Sequence, residues 1–213
     1  MAAEEDGLQR YRDKARGWGD AARQGESKQR YSTPKDNGKP KARLVAGSVP
    51  FRGGRGGKEV EFLLLSSAKH EGTWIFPKGG WETDESCAEA AERETFEEAG
   101  VVGDIEERKG KQEEAGEDQK EEGGGGGGGG GGDALTPTPI YVEAYKEGTR
   151  KLHMFLLRVE LELEEFPEKH RKRRWVSPAE AMLALQSSKA GAGGPLSRAL
   201  KAACEALGVE AGS

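Results

Sequence analysis

Ten consecutive glycines, Gly123 to Gly132, limit what this chain can fold into more than any other stretch of it. The segment before them, GDIEERKGKQEEAGEDQKEE (103–122), holds nine acidic and four basic residues and almost nothing apolar except Ile105. So little apolar surface cannot offset the entropy of ordering the segment. Residues 106–136 therefore read as a disordered insertion. Residues 1–40, polar and rich in Lys, Arg, Asp and Gly, read as a disordered N-terminal tail, and 209–213 as a short C-terminal tail. The foldable part is about 41–105 joined to 137–208, one domain within 41–208.

The formal charge of −5 is a poor guide to partners, because the insertion supplies nine acids against four bases. The remainder is near neutral, with basic clusters suited to an anionic ligand. Cys87 and Cys204 make neither a disulfide framework nor a zinc-ligand spacing, which suits a reducing compartment. No apolar run reaches the ~18 residues that span a bilayer. The N-terminus has no apolar core for a secretory signal, and Glu4, Glu5 and Asp6 argue against a transit peptide. Cytoplasm or nucleus is the expected location, with an organelle as the alternative. A monomer is the default, with no membrane contact and no nucleic-acid partner expected.

RLVAGSVPF (43–51), VEFLLLSS (60–67) and TWIF (73–76) read as strands, the first two joined by a Gly-rich turn. From Asp84, a plausible helix start, the period becomes helical, with Ala88, Thr95, Phe96 and Ala99 on one face. Gly100 falls where a C-cap glycine belongs. After the insertion, 140–147 and 151–163 read as a strand pair. Ser177-Pro178-Ala179-Glu180 reads as a capping box opening a helix, and 195–207 as a final amphipathic helix. Strands and helices in this order give an α/β chain with a mixed sheet packed by helices.

The helix read from Asp84 carries Glu94, Glu97 and Glu98 at spacings that share one face. Like charges so placed destabilise an isolated helix by about 0.2–0.5 kcal/mol per pair. A solvated acidic face is the ordinary reading of such a run. The longer stretch GGWETDESCAEAAERETFEEAGV (79–101) says more. It resembles the Nudix box, with Gly79, Glu85, Arg93, Glu94, Glu97, Glu98, Gly100 and Val101 in place. Only Thr95 departs, where the family prefers an aliphatic side chain, and slightly looser packing is expected there.

That resemblance implies a Nudix-type α/β/α sandwich with a mixed sheet, and hydrolysis of a diphosphate linked to another moiety. It implies Mg²⁺ as cofactor, with Mn²⁺ as a substitute. A hard cation on a carboxylate patch turns mutual repulsion into ligation. The resemblance implies that a glutamate of the Glu97-Glu98 pair acts as metal ligand, general base or both. Glu97 is the base candidate, with Glu94, Glu98 and Gly79 serving the metal. Glu85 and Arg93 form a structural pair, and Gly100 closes the box.

Outside the box, RLVAGSVPFR, LLLSSAKHEGTWIFPKGGWE (63–82) and the basic run before Trp175 resemble the diphosphoinositol polyphosphate phosphohydrolases, a group that also cleaves diadenosine polyphosphates. Position by position, this implies phosphate contacts at Arg43, Ser67, Lys69, Lys78, Gly80, Arg171 and Lys189. Arg150-Lys151 sits near a further contact, and Val45 stands where another base is expected. A densely anionic substrate needs such bases. Most of EKHRKRRW (168–175) also reads as a solvated loop or an import patch. His153 reads as a core histidine and His70 as a loop residue within reach of phosphate. Trp74 reads as core, and Trp81 as a pocket wall or a ring that stacks a base, which would favour a dinucleotide. Competing readings are hydrolysis of a nucleotide sugar, a nucleoside triphosphate or capped RNA, or a non-catalytic phosphate-binding module. The complete acidic triad favours an enzyme.

Overall fold

Alternation along RLVAGSVPFR gives strand β1 (Arg43–Arg52) two apolar faces. Leu44 and Ala46 join Trp81, Ala90, Ala91 and Phe155 on one side. Val45, Val49 and Phe51 join Met182, Leu185, Leu200 and Cys204 on the other. A strand buried on both faces belongs inside a sheet covered by helices on each side.

That is the arrangement in the computed structural model, which describes residues 2–23, 27–32, 41–54, 59–107, 137–186 and 193–211. Beside β1 runs β7 (Arg150–Glu162), parallel, with Arg43 opposite Arg150 and Phe51 opposite Arg158. β2 (Glu61–Ser66) and β4 (Lys78–Gly80) both pair antiparallel with β1, β4 along Val45 to Gly47. β3 (Trp74–Ile75) and β8 (Arg173–Val176) extend β2, while β5 (Val101–Ile105) and β6 (Tyr141–Tyr145) pair with β7. Helix α2 (Cys87–Ala99) covers one face, and α3 (Pro178–Gln186) with α4 (Pro195–Leu207) the other. The fold is the expected mixed-sheet sandwich. No helix among the described residues is long and apolar enough to cross a membrane.

Several boundaries differ from the sequence reading. Most of the expected insertion, residues 108–136, lies outside the described residues, but Glu106 is paired, its amide donating to Leu156 O at 2.9 Å. The N-terminal tail is not wholly without structure. Residues 2–18 form helix α1 (Ala2–Trp18). Leu8, Tyr11, Ala15 and Trp18 make a stripe that packs on Phe96, Val102, Leu161 and Phe166. The Tyr11 hydroxyl donates to Asp104 at 2.6 Å, and Lys14 pairs with Glu92 at 2.8 Å. At the other end, Val209 and Ala211 pack on the core rather than forming a tail. Residues 173–176 are a strand rather than a loop, with Arg173 Nη1 donating to Ala99 O at 2.9 Å.

Helix α2 starts later than Asp84. Ser86 is its N-cap, accepting from the Glu89 amide at 3.2 Å, while the Glu89 carboxylate accepts from the Ser86 amide at 2.8 Å. This reciprocal box satisfies two orphan donors and outcompetes a start two residues earlier. Gly100 ends the helix in the left-handed region, at φ 63°.

Thr95 does not loosen the packing. It is fully buried, its hydroxyl 2.6 Å from both Ser48 Oγ and Ala91 O. Thr95→Val strands the Ser48 hydroxyl and is expected to cost about 1–3 kcal/mol, while Thr95→Val with Ser48→Ala recovers most of it. Urea titrations of the two variants check this.

Candidate active site

Arg93 organises the box. It is 1% exposed, and its Nε and Nη2 donate to the two oxygens of Glu85 at 2.9 and 2.6 Å. Nη2 also donates to Gly80 O at 2.9 Å, and Nη1 to Glu94 at 2.9 Å, with Glu97 Oε1 3.5 Å away. One planar fork thus ties the loop after β4 to α2 and fixes two of the three acidic side chains.

Those carboxylates are not a solvated face. Glu97 is 3% and Glu98 9% exposed. Burial pushes all three carboxyls above the ordinary glutamate range, against the pull of Arg93 on Glu94 and Glu97 and of Lys78 and Arg171 on Glu98. Glu94 reaches about 8, raised further by Glu98 and Glu97. Buried acids held against their own charge are relieved by a cation. Among the described residues Glu97 Oε1 has no hydrogen-bond partner, while Oε2 accepts the Arg23 amide at 3.2 Å. A Cβ on Gly79 would overlap the Glu94 carboxylate, so this backbone approaches as closely as only glycine allows.

Among the described residues, no three His, Cys, Asp or Glu side chains form a ready-made metal cage. Mg²⁺ does not need one, because it is commonly held by one or two carboxylates with substrate phosphates and water. The donor set fits that ion. Gly79→Ala is expected to displace the Glu94 carboxylate and lower turnover by about 100-fold, the scale of a 1 Å misplacement. Isothermal titration with Mn²⁺ would show the matching loss of metal affinity.

Glu98 opens onto a cleft of about 350 Å³ bordered by Arg43, Ser67, Lys69, Lys78, Gly79 and Arg171. Glu94 and Glu97 lie behind it, under Gly79 and Arg23. Arg171 Nη2 is 3.0 Å from Glu98, and its side chain is 8% exposed. Among the described residues Arg171 Nη1 is buried without a hydrogen-bond partner, a donor suited to a bound anion. The Lys78 amide donates to Glu98 at 3.0 Å, and burial lowers its ammonium pKa while Glu98 pulls it back. Ser67 Oγ accepts the amides of Lys69 and His70 at 3.3 and 3.2 Å, shaping the loop.

The structure brings together most of the residues expected to meet phosphate. The parallel register of β1 and β7 sets Arg150 beside Arg43, and both border the cleft with Val45. Lys151 does not border it. Gly80 stands behind Arg43 rather than lining the cleft. Lys189 lies outside the described residues. Trp81 is not a pocket wall: it is 4% exposed in the core under α2, donating Nε1–H to Glu85 O at 3.0 Å. His153 is buried edge-on to Trp81, with ring centroids 5.7 Å apart. Trp74 packs under Arg174, 4.1 Å away. Cys87 and Cys204 are both buried, and burial pushes the Cys204 thiol up to about 11.

Sequence reasoning missed Tyr145 and Lys146, which border the cleft, and Arg23 and Gln29, which reach the site from the N-terminal segment. Lys146 and Glu147, at φ 51° and 58°, form the tight turn from β6 to β7. No spacing in the sequence marks these four positions.

Residues 41–196 match the NUDIX domain model. The chain is 37% identical over 173 residues to "Nudix hydrolase 21, chloroplastic" of Arabidopsis thaliana, spanning 78% of this chain and 69% of that protein. It is 49% identical over 51 residues to "Diphosphoinositol polyphosphate phosphohydrolase 3-beta" of Bos taurus, which is 24% of this chain and 31% of that one. A solved Ap4A hydrolase binary complex from C. elegans superposes with a TM-score of 0.45 at 21% identity, over 74% of this chain and 92% of that chain. With the box geometry and a match over most of its length, this chain belongs to the Nudix family of hydrolases, which act on phosphoanhydride substrates.

Proposed function

We propose that the protein is a Mg²⁺-dependent hydrolase of diphosphoinositol polyphosphates, diadenosine polyphosphates or both. The observation that carries this is the cleft itself. Arg43, Lys69, Lys78, Arg150 and Arg171 surround a volume that ends on Glu98 of the box. Such a concentration of bases suits a ligand with several adjacent phosphates. The likeness to the bovine protein supports the same substrate class, over its short span.

In this reading Glu94, Glu98 and the Gly79 backbone hold the ion. When bound, it polarises a phosphoryl oxygen and neutralises developing charge. Glu97 takes the proton of the attacking water at Oε1, the oxygen with no hydrogen-bond partner. The Arg23 amide and Arg93 keep its carboxylate in place. Arg171, Arg43, Lys69 and Lys78 orient the phosphates, and the Ser67 loop closes one side. The expected location stays cytoplasm or nucleus, with an organelle as the alternative, since the Arabidopsis relative is named chloroplastic.

A neighbouring cleft of about 610 Å³ favours the dinucleotide. Ile75, Leu152, Leu185 and Leu196 line it, and it shares Lys78 and Tyr145 with the basic cleft. An inositol pyrophosphate is phosphorylated around its ring and gains nothing from an apolar wall, whereas an adenosine does. Product formation from a diphosphoinositol polyphosphate, a diadenosine polyphosphate and ADP-ribose, measured side by side with Mg²⁺, tests the proposal. Turnover of either of the first two well above ADP-ribose is expected. Preference for ADP-ribose would overturn it.

A further inference from the structure

We propose that Gln29 is a positioning residue for phosphate binding, holding the Arg43 guanidinium at the cleft without neutralising it. The inference rests on the reading of the cleft as a phosphate site. It also makes residues 27–32 part of that site, although their composition suggests a tail.

Gln29 is 8% exposed, and its surroundings determine which way its amide faces. Its Nε2 lies 2.9, 3.0 and 3.1 Å from the carbonyl oxygens of Arg30, Leu44 and Trp81. A flipped amide would set oxygen against three oxygens, so the network admits one orientation. Oε1 is thereby left to accept from Arg43 Nε at 2.5 Å. The backbone holds the side chain in place. Gln29 bridges to Glu82, the Arg30 amide donates to Trp81 O at 2.9 Å, and the Leu44 amide donates to Arg30 O at 3.1 Å.

Gly80 leaves the space this pair needs. A Cβ there would overlap Gln29 Oε1 and stand 3.0 Å from Arg43 Nη2. A free arginine side chain is rich in rotamers, so fixing Nε in advance reduces what a phosphate must order. The choice of a neutral acceptor matters too. A carboxylate at this position would hold Arg43 equally well but cancel the charge the phosphate needs. Arg171, by contrast, is already paired with Glu98 at 3.0 Å and Glu168 at 2.7 Å. Among the described residues, that leaves Arg43 a cation of the cleft whose anchor, Gln29, is uncharged.

The test is the affinity of the full chain for inorganic pyrophosphate, measured by calorimetry across a double-mutant cycle. Arg43→Ala and Gln29→Met are each expected to weaken binding about tenfold, the scale of one charge-assisted hydrogen bond. The double variant is expected to bind no more weakly than Arg43→Ala alone, because the Gln29 side chain acts only through Arg43. A merely structural role predicts otherwise: Gln29→Met would weaken binding by the same factor with Arg43 already gone. That result, or unchanged binding in Gln29→Met, overturns the inference. An Arg43→Ala protein that binds as well as the wild type, or a wild type that does not bind, instead overturns the reading of the cleft beneath it.

Discussion

Glu97→Gln is expected to leave the fold intact and lower kcat by about 10²–10⁴-fold, the range for losing a positioned general base. The substitution keeps the shape of the side chain, and an oxygen remains to accept the Arg23 amide. What it removes is proton affinity at an atom that makes no hydrogen bond among the described residues, together with its 3.5 Å ion pair to Arg93. KM is expected to change little, since the basic cleft is lined by other residues. Steady-state kinetics and a melting curve check both halves. A variant that melts as the wild type does and turns over within threefold of it would move the base to another residue.

Arg93→Met is expected to be the most damaging substitution to stability. Among the described residues Arg93 is the largest fully buried side chain, and its partners are three carboxylates and a carbonyl. Removing one partner of a buried pair costs about 3–5 kcal/mol, against a total of about 5–15 for a typical domain. Among the described residues, Glu85 would be left buried with Arg23, 4.0 Å away, as its remaining cation. Adding Glu85→Leu is expected to restore part of the stability and none of the activity, because Glu94 stays unanchored. Denaturation midpoints and turnover of the single and double variants separate the two effects. An Arg93→Met protein as stable as the wild type would contradict the role assigned to this residue.

How far the sequence reveals the fold depends on where the signal lies. Strong periodicity with local punctuation carried over well: Pro195 to Leu207 is a helix as read, and Gly100 caps α2. β4 and β8 were missed because a Lys-Gly-Gly stretch and a run of arginines have low strand propensity. They are strands because β1 and β2 offer open edges at those registers. α1 was hidden by averaging. Its Leu8, Tyr11, Ala15 and Trp18 keep helical spacing, yet the surrounding charge makes the whole segment read as a tail.

At the candidate site, the box spacing located the acidic residues but not their burial. Gly79, itself a box residue, folds back against Glu94, and Arg23, remote in sequence and in the supposed tail, lies against Glu97. Register did for Arg150 what motif alignment did not, because pairing with Arg43 across β1 and β7 is a tertiary fact. Gln29 shows the same limit. One glutamine in a polar segment carries no local signal, and its meaning comes from three carbonyls and a guanidinium contributed by β1, the residue after β4 and its own neighbour.

The central claim is that this cleft hydrolyses a phosphoanhydride by attack of water at phosphorus, with a divalent cation. The most direct measurement is ³¹P NMR of the reaction in ¹⁸O-labelled water, with Mg²⁺, on whichever polyphosphate turns over fastest. One labelled oxygen on a phosphate product per turnover, lost on adding EDTA and regained with Mg²⁺, is the predicted result. Turnover that persists in EDTA, or label found only off phosphorus, would contradict it.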